Sequence, residues 1–209
     1  MPQEPSPIPA LLERIKAFYT AYAPVALDSY HLLTPAADED IARFEAQLGA
    51  PLAEDLRVFW QSNDVRHSFS GNFDCLDLEG AAHNWQRMTR LLREGAFDDG
   101  RMERHEADGF GNWDGEILAR CWWHPLWVPF AEDSCGNLKC IDGAPGKNGR
   151  LHQVIQMEIQ DGQGPFASES ISLAHYLEKH LEYLQKGQFT IEEWGIEVDE
   201  YASPRPLPE

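Results

Sequence analysis

Cys121, His124, Cys135, Cys140 and His152 are the residues whose types and spacing come closest to a metal centre. Four residues separate Cys135 from Cys140, the upper end of the gap of about two to four in a zinc knuckle, so the pair plus two of the others would complete a tetrahedral set. The partners lie in separate segments, however, with no second cysteine pair. Cys140 also stands in the alternating run Leu138, Cys140, Asp142, where a thiol acts as a small apolar filler. The cysteines read as core thiols, and no metal or other cofactor is expected.

Other chemistries fail on spacing. A nucleophilic serine needs the strained Gly-x-Ser-x-Gly elbow, and none occurs. "GAPGKNG" at 143–149 lacks the Walker spacing and has Asn148 where a hydroxyl should follow Lys147. "DGFGNWDGE", from Asp108 to Glu116, offers oxygen ligands, but the twelfth position of a calcium loop falls on Ala119. It reads as a surface turn. His124, and His67 near Asp64, have no neighbour that selects them as a base. Asp98 and Asp99 form one acid pair in a chain with 35 acidic residues, and solvated charge explains them. No catalytic residue stands out, and the chain reads as a non-enzyme.

Trp122, Trp123 and Trp127 either fill a core or anchor a partner. If Trp122 and Trp123 belong to a strand they point to opposite faces, and one of them needs cover beyond the main core.

The bulk properties narrow the classes further. An apolar fraction of 43% argues for a folded globule. A net charge of −18, from 35 acidic and 17 basic residues, repels phosphate backbones and anionic lipid. It suits a basic protein partner, and it also serves solubility. The start MPQEPSPIP has neither the basic beginning nor the apolar block of an export signal. No apolar window spans a bilayer. Cytoplasm, with reduced thiols, is the expected compartment.

Stepping along the chain, Ser6-Pro7 predicts the start of a helix with Ile8, Leu11, Leu12, Ile15, Phe18 and Tyr19 on one face. Thr34-Pro35 predicts a second, with Ile41, Phe44 and Leu48 inside and a stop at Gly49. Leu52, Leu56, Phe59 and Trp60 mark a third, running out at Asn63. "FSGNFDCLDLEG" alternates like a hairpin, and Trp85, Met88 and Leu92 restore helical spacing. After the charged stretch from Ala96 to Glu116, "ILARCWWHPLWVPFA" reads as two strands meeting at His124-Pro125. Leu138–Ile141 and Val154–Ile159 add two more strands. Ser170 opens a last helix with Leu173, Tyr176, Leu177, Leu181 and Leu184 inside, closed by Gly187. From Glu192 the acidic, proline-containing tail reads as a loose end. The class is α+β, a mainly antiparallel sheet of about four to six strands flanked by helices from both ends of the chain.

Four stretches occur in an order that resembles the SUKH superfamily, the Smi/Knr type named after the fungal cell-wall assembly regulator. They are "IARFEAQLGAPLAEDLRVFWQSN" from Ile41, "HPLWVPFAEDSCGNLKCID" from His124, "APGKNGRLHQVI" from Ala144 and "SISLAHYLEKHLEYLQKGQF" from Ser170. The resemblance puts the family's motif on Trp127, Val128, Pro129, Phe130 and Ala131, its turn on Gly136 and Asn137, and its strand acid on Asp142. Val154 and Ile155 keep the closing strand, whose usual glycine is His152 here, and Pro51-Leu52 stands where the family has Leu-Pro. It implies a helical extension at 1–33, the domain at 34–194 with an acidic insertion near 97–116, and a tail at 195–209.

The resemblance further implies a binding domain without known catalysis. In bacteria such domains are immunity proteins that neutralise a toxin, and in fungi they are scaffolds in wall synthesis. The expected partner is a protein, a basic toxin domain in the first case. Within the insertion Asp98, Asp99, Phe110, Trp113, Asp114 and Glu116 combine aromatic groups with negative charge, the composition of a surface aimed at a basic protein. Gly136-Asn137 is expected to turn a hairpin, with Cys135 and Cys140 as its passengers.

Overall fold

Ile8, Leu11, Leu12, Ile15, Phe18 and Tyr19 form the buried stripe of α1 (Ile8–Tyr22), as their spacing requires. The computed structural model describes residues 6–24, 33–66, 68–98, 115–118, 121–159, 164–192 and 195–207. α2 (Asp38–Leu48) buries Ile41, Phe44 and Leu48 and stops at Gly49. It starts later than Thr34-Pro35 predicts: Ala37 caps it without a side-chain bond, and Asp38, Glu39 and Asp40 meet the positive end of the helix. α3 (Glu54–Ser62) buries Leu56, Phe59 and Trp60. α4 (Leu78–Arg93) is capped by Asp77, whose carboxylate accepts the Gly80 N–H at 2.8 Å. Its buried face runs through Ala81, Trp85, Met88 and Thr89, which leaves Leu92 at the surface. α5 (Leu173–Gln185) begins behind Ser172, whose hydroxyl accepts the His175 N–H at 3.2 Å, two residues beyond the expected Ser170.

Six strands form an antiparallel meander in chain order: β1 (Ser68–Phe69), β2 (Phe73–Cys75), β3 (Trp127–Glu132), β4 (Leu138–Asp142), β5 (Val154–Glu158) and β6 (Gly164–Ala167). The fold is therefore α+β, with the antiparallel sheet that the change of periodicity predicts. α4 packs on β3 and α2 on α4, while α1 packs against α3 and α5. β4, in the middle of the sheet, carries no exposed residue at all.

Two expectations need correction. Cys121–Leu126 is not a strand. His124-Pro125 bends the chain instead, and Trp122 and Trp123 are both buried within the molecule. Trp123 gives its Nε1–H to Thr89 of α4 at 3.2 Å and packs edge-on against Trp127. Nor is the segment after Glu192 loose. β7 (Phe189–Glu192) and β8 (Gly195–Val198) form a second hairpin, and β8 lies beside β1. Gln188 is buried and its amide donates to the carbonyls of Glu200 and Ala202, at 3.1 and 2.7 Å. Arg205 N–H bonds the Lys186 carbonyl at 2.8 Å. At Gly187, φ is +69° and a Cβ would run into the Arg205 carbonyl, so only glycine fits that crossing.

Candidate functional site

The hairpin between β3 and β4 is held by its own side chains. Asp133 Oδ1 accepts the N–H groups of Cys135 and Asn137, at 2.9 and 2.8 Å, and Oδ2 accepts the Asn137 amide at 2.9 Å. Gly136 takes the φ of +84° that the turn demands. Asn137 Oδ1 then accepts the Ile159 N–H at 2.7 Å, tying the turn to the end of β5. At the other end of the hairpin Asp142 is wholly buried. Its carboxylate accepts Trp127 Nε1–H at 2.8 Å, Ala144 N–H at 2.9 Å and Gln153 Nε2–H at 3.0 Å. Burial pushes its pKa up, and these three bonds oppose that shift. Pro129 and Phe130 lie between these two anchors, beside the irregularity at which β3 and β4 change register. The geometry of these residues is that of a scaffold.

The insertion is only framed. Asp99, Phe110, Trp113 and Asp114 lie outside the described residues. Asp98 and Glu116 are exposed at its two ends, and Phe97 is buried. The Glu116 carbonyl accepts from Gly146 N–H and Gln153 Nε2–H, both at 2.9 Å, which stitches the insertion's end to the turn before β5.

The described residues enclose a different feature, a groove of about 730 Å³ between the sheet, α5 and the segment after β8. Cross-strand register builds its floor: Lys139 faces Gln156, and Gln156 faces Phe166, one row across β4 to β6. Phe73 of β2 and Tyr176 of α5 close over Lys139, with its ammonium nitrogen 4.3 and 5.6 Å from their ring centroids. Lys139 is only 7% exposed. Its Nζ donates to Gln156 Oε1 at 2.6 Å, and Gln156 Nε2 donates to Glu158. Desolvation pulls its pKa down to about 8, against the opposing charges of Glu200, Glu158 and Asp133.

The rim has the opposite sign. Glu197, Asp199 and Glu200 line one side, and Glu169, paired with Lys179 of α5, lines the other. Tyr183 reaches across, its hydroxyl donating to Glu200 at 3.4 Å; burial beside that carboxylate pushes its pKa up to about 12. Tyr201, 91% exposed, stands at the edge. The arrangement is one buried cation under aromatic rings, inside an acidic rim. Among the described residues no three His, Cys, Asp or Glu side chains converge as a metal set. None of the four cysteines is in a disulfide, and burial pushes the thiols of Cys121 and Cys140 up, away from reactivity.

None of these groove residues was singled out by spacing except Tyr176, as part of the helix stripe. A lysine inside the run "NLKCID", flanked on both sides by residues of a buried strand, was the available signal.

A meander sheet with a tryptophan–aspartate anchored hairpin and helices from both chain ends defines a class of α+β domain. Residues 35–179 match the SMI1 / KNR4 family (SUKH-1), more than half of the chain, and the protein belongs to that family. It is 25% identical, over an aligned length of 187 residues, to a glucan synthesis regulatory protein of Neurospora crassa, covering 74% of this chain and 34% of that protein. It is 26% identical, over 235 aligned positions, to a KNR4/SMI1 homolog of Yarrowia lipolytica, covering 91% of this chain and 32% of that one. The chain thus spans about a third of the length of these curated relatives. α1, Tyr183 and the groove wall at 197–201 lie outside the stretch matched to the family.

Proposed function

We propose that this protein is a non-enzymatic, cytoplasmic docking domain that controls a partner protein by seating part of it in the groove above Lys139. The supporting observation is the groove itself, a row of sheet side chains under aromatic cover with an acidic rim, in a family whose members include regulators. The leading role is immunity, in which the partner is a basic toxin domain neutralised by contact; the net charge of −18 favours such a partner. A regulatory scaffold role in wall assembly is the second reading. It is favoured by the names of the two fungal relatives. The insertion near 97–116, with Asp99, Phe110, Trp113 and Asp114, is a second contact surface in this proposal.

A photo-crosslinking phenylalanine in place of Tyr201, at the exposed rim, should capture the partner in the source cell. Purified, that partner should lose its activity on binding if the role is immunity. It should keep its activity, and bring further wall-synthesis components with it, if the role is scaffolding. Crosslinks obtained equally from a site on the far side of α4 would refute the groove as the docking surface.

A further inference from the structure

Lys139 Nζ has three N–H donors. Gln156 Oε1 takes one at 2.6 Å. The rings of Phe73 and Tyr176 cover the ammonium ion without offering it a full hydrogen-bond acceptor. Among the described residues no carboxylate stands within ion-pair distance. Glu200 after β8, Glu158 of β5 and Asp133 of the β3–β4 hairpin act on it only through space. A cation at 7% exposure is ordinarily paired, because burying it unpaired is costly. Lys139 itself lines the groove.

We propose that the groove accepts a glutamate or aspartate side chain from a basic segment of a partner protein, its carboxylate paired with Lys139 Nζ. This rests on the docking reading and specifies its chemistry. A carboxylate supplies the missing acceptors and forms a charge-assisted bond under aromatic cover, where it is strong. The ammonium lies beneath two rings, so the anion must arrive on a thin, flexible stem, which a side chain provides and a chain terminus with its flanking amide does not. The rim then selects the neighbours. Glu197, Asp199 and Glu200 repel a uniformly acidic ligand and favour arginine or lysine on either side of the single acid. Glu200, the strongest of the charges acting on Lys139, belongs to the C-terminal segment outside the family match and competes with the incoming carboxylate.

The test uses the full chain on arrays of heptapeptides capped at both ends, with flanks randomised among Arg, Lys, Gly, Ser and Leu. The central residue is fixed as Glu, Gln or Lys, and a further set has a Gln centre and a free C-terminus. Glu-centred peptides should bind at least about tenfold better than Gln-centred ones. Lys139→Met, which removes a buried charge and is expected to fold, should erase that difference. Glu200→Gln should strengthen Glu-centred binding by removing the competing charge. The proposal is overturned if Gln-centred peptides bind equally, or if only the free C-terminus binds. It is also overturned if no set exceeds the Lys139→Met background. Preferred binding of Lys-centred peptides, weakened by Glu200→Gln, would overturn it too while leaving a docking groove that reads cations. The crosslinking experiment decides the docking reading independently.

Discussion

At the scale of single residues, Asp142 and Lys139 are two charged groups buried among the described residues, for different ends. Asp142 is matched by three donors, so Asp142→Asn keeps the shape but leaves one acceptor atom for them and turns an amide N–H toward the rest. A loss of about 1–3 kcal/mol in denaturant melts is expected, the cost of buried donors left unsatisfied. Lys139 is the contrary case. Its native pKa is about 8 because burial disfavours the charged form, against 10.5 ordinarily. Between those values the unfolded chain holds a proton that the native protein does not, so this group's contribution to stability rises with pH across that window. Below it the charge carries a constant penalty, on the order of 3 kcal/mol at most. Lys139→Met should therefore be more stable at pH 7 by up to that amount, less about 1 kcal/mol for an unpaired Gln156 Oε1. The advantage over the native chain should fade from pH 8 to 10.5. A constant difference across those melts would show that burial does not tax this lysine. His152 adds a smaller strain: it holds φ at +67°, a conformation that favours glycine.

Elements divide by how local their signals are. α1, α2, α3 and α5 were legible because each buries one stripe at helical spacing, and α2, α3 and α5 also end at a glycine or a polar residue. The β3–β4 hairpin was legible because Gly136-Asn137 interrupts an apolar run. Cys121–Leu126 was misread because its tryptophans resemble strand residues, while what buries them is long-range: Thr89 on α4 for one, and the proline bend for both. β7 and β8 were missed because charge dominates "TIEEWGIEV", although Ile196 and Val198 alternate inward around Glu197. The groove followed the same fate, since it exists only once β2 to β6, α5 and the last hairpin are assembled. Gln188 is the pin of that hairpin. Gln188→Ala removes two bonds to the carbonyls of Glu200 and Ala202, at 3.1 and 2.7 Å. Hydrogen exchange at residues 199–205 should speed by about tenfold, from roughly 1–2 kcal/mol of lost local stability, with a much smaller change in α1 to α4. Uniform acceleration throughout the chain would mean that the C-terminal wall has no independent opening.

For the whole molecule, the dominant long-range property is the charge of −18 spread over 209 residues. The groove sits inside that field with a buried cation at its floor, so the two length scales act on different steps of association. At a distance only the acidic surface is felt, and a basic partner is drawn in; this attraction is screened over about 8–10 Å at physiological salt. Once docked, the contact to Lys139 is shielded from water by Phe73 and Tyr176, and mobile ions reach it poorly. With the crosslinked partner identified and purified, raising sodium chloride from about 50 to 500 mM should lower the association rate by roughly tenfold or more. The dissociation rate should change by no more than about twofold to threefold over the same range. Lys139→Met should show the reverse pattern, a nearly native association rate and faster dissociation, because truncating a buried charged contact acts on the bound state. Stopped-flow traces on the native chain and the variant separate these steps. An association rate indifferent to salt would mean that the acidity of this protein serves its solubility and not its encounter with a partner.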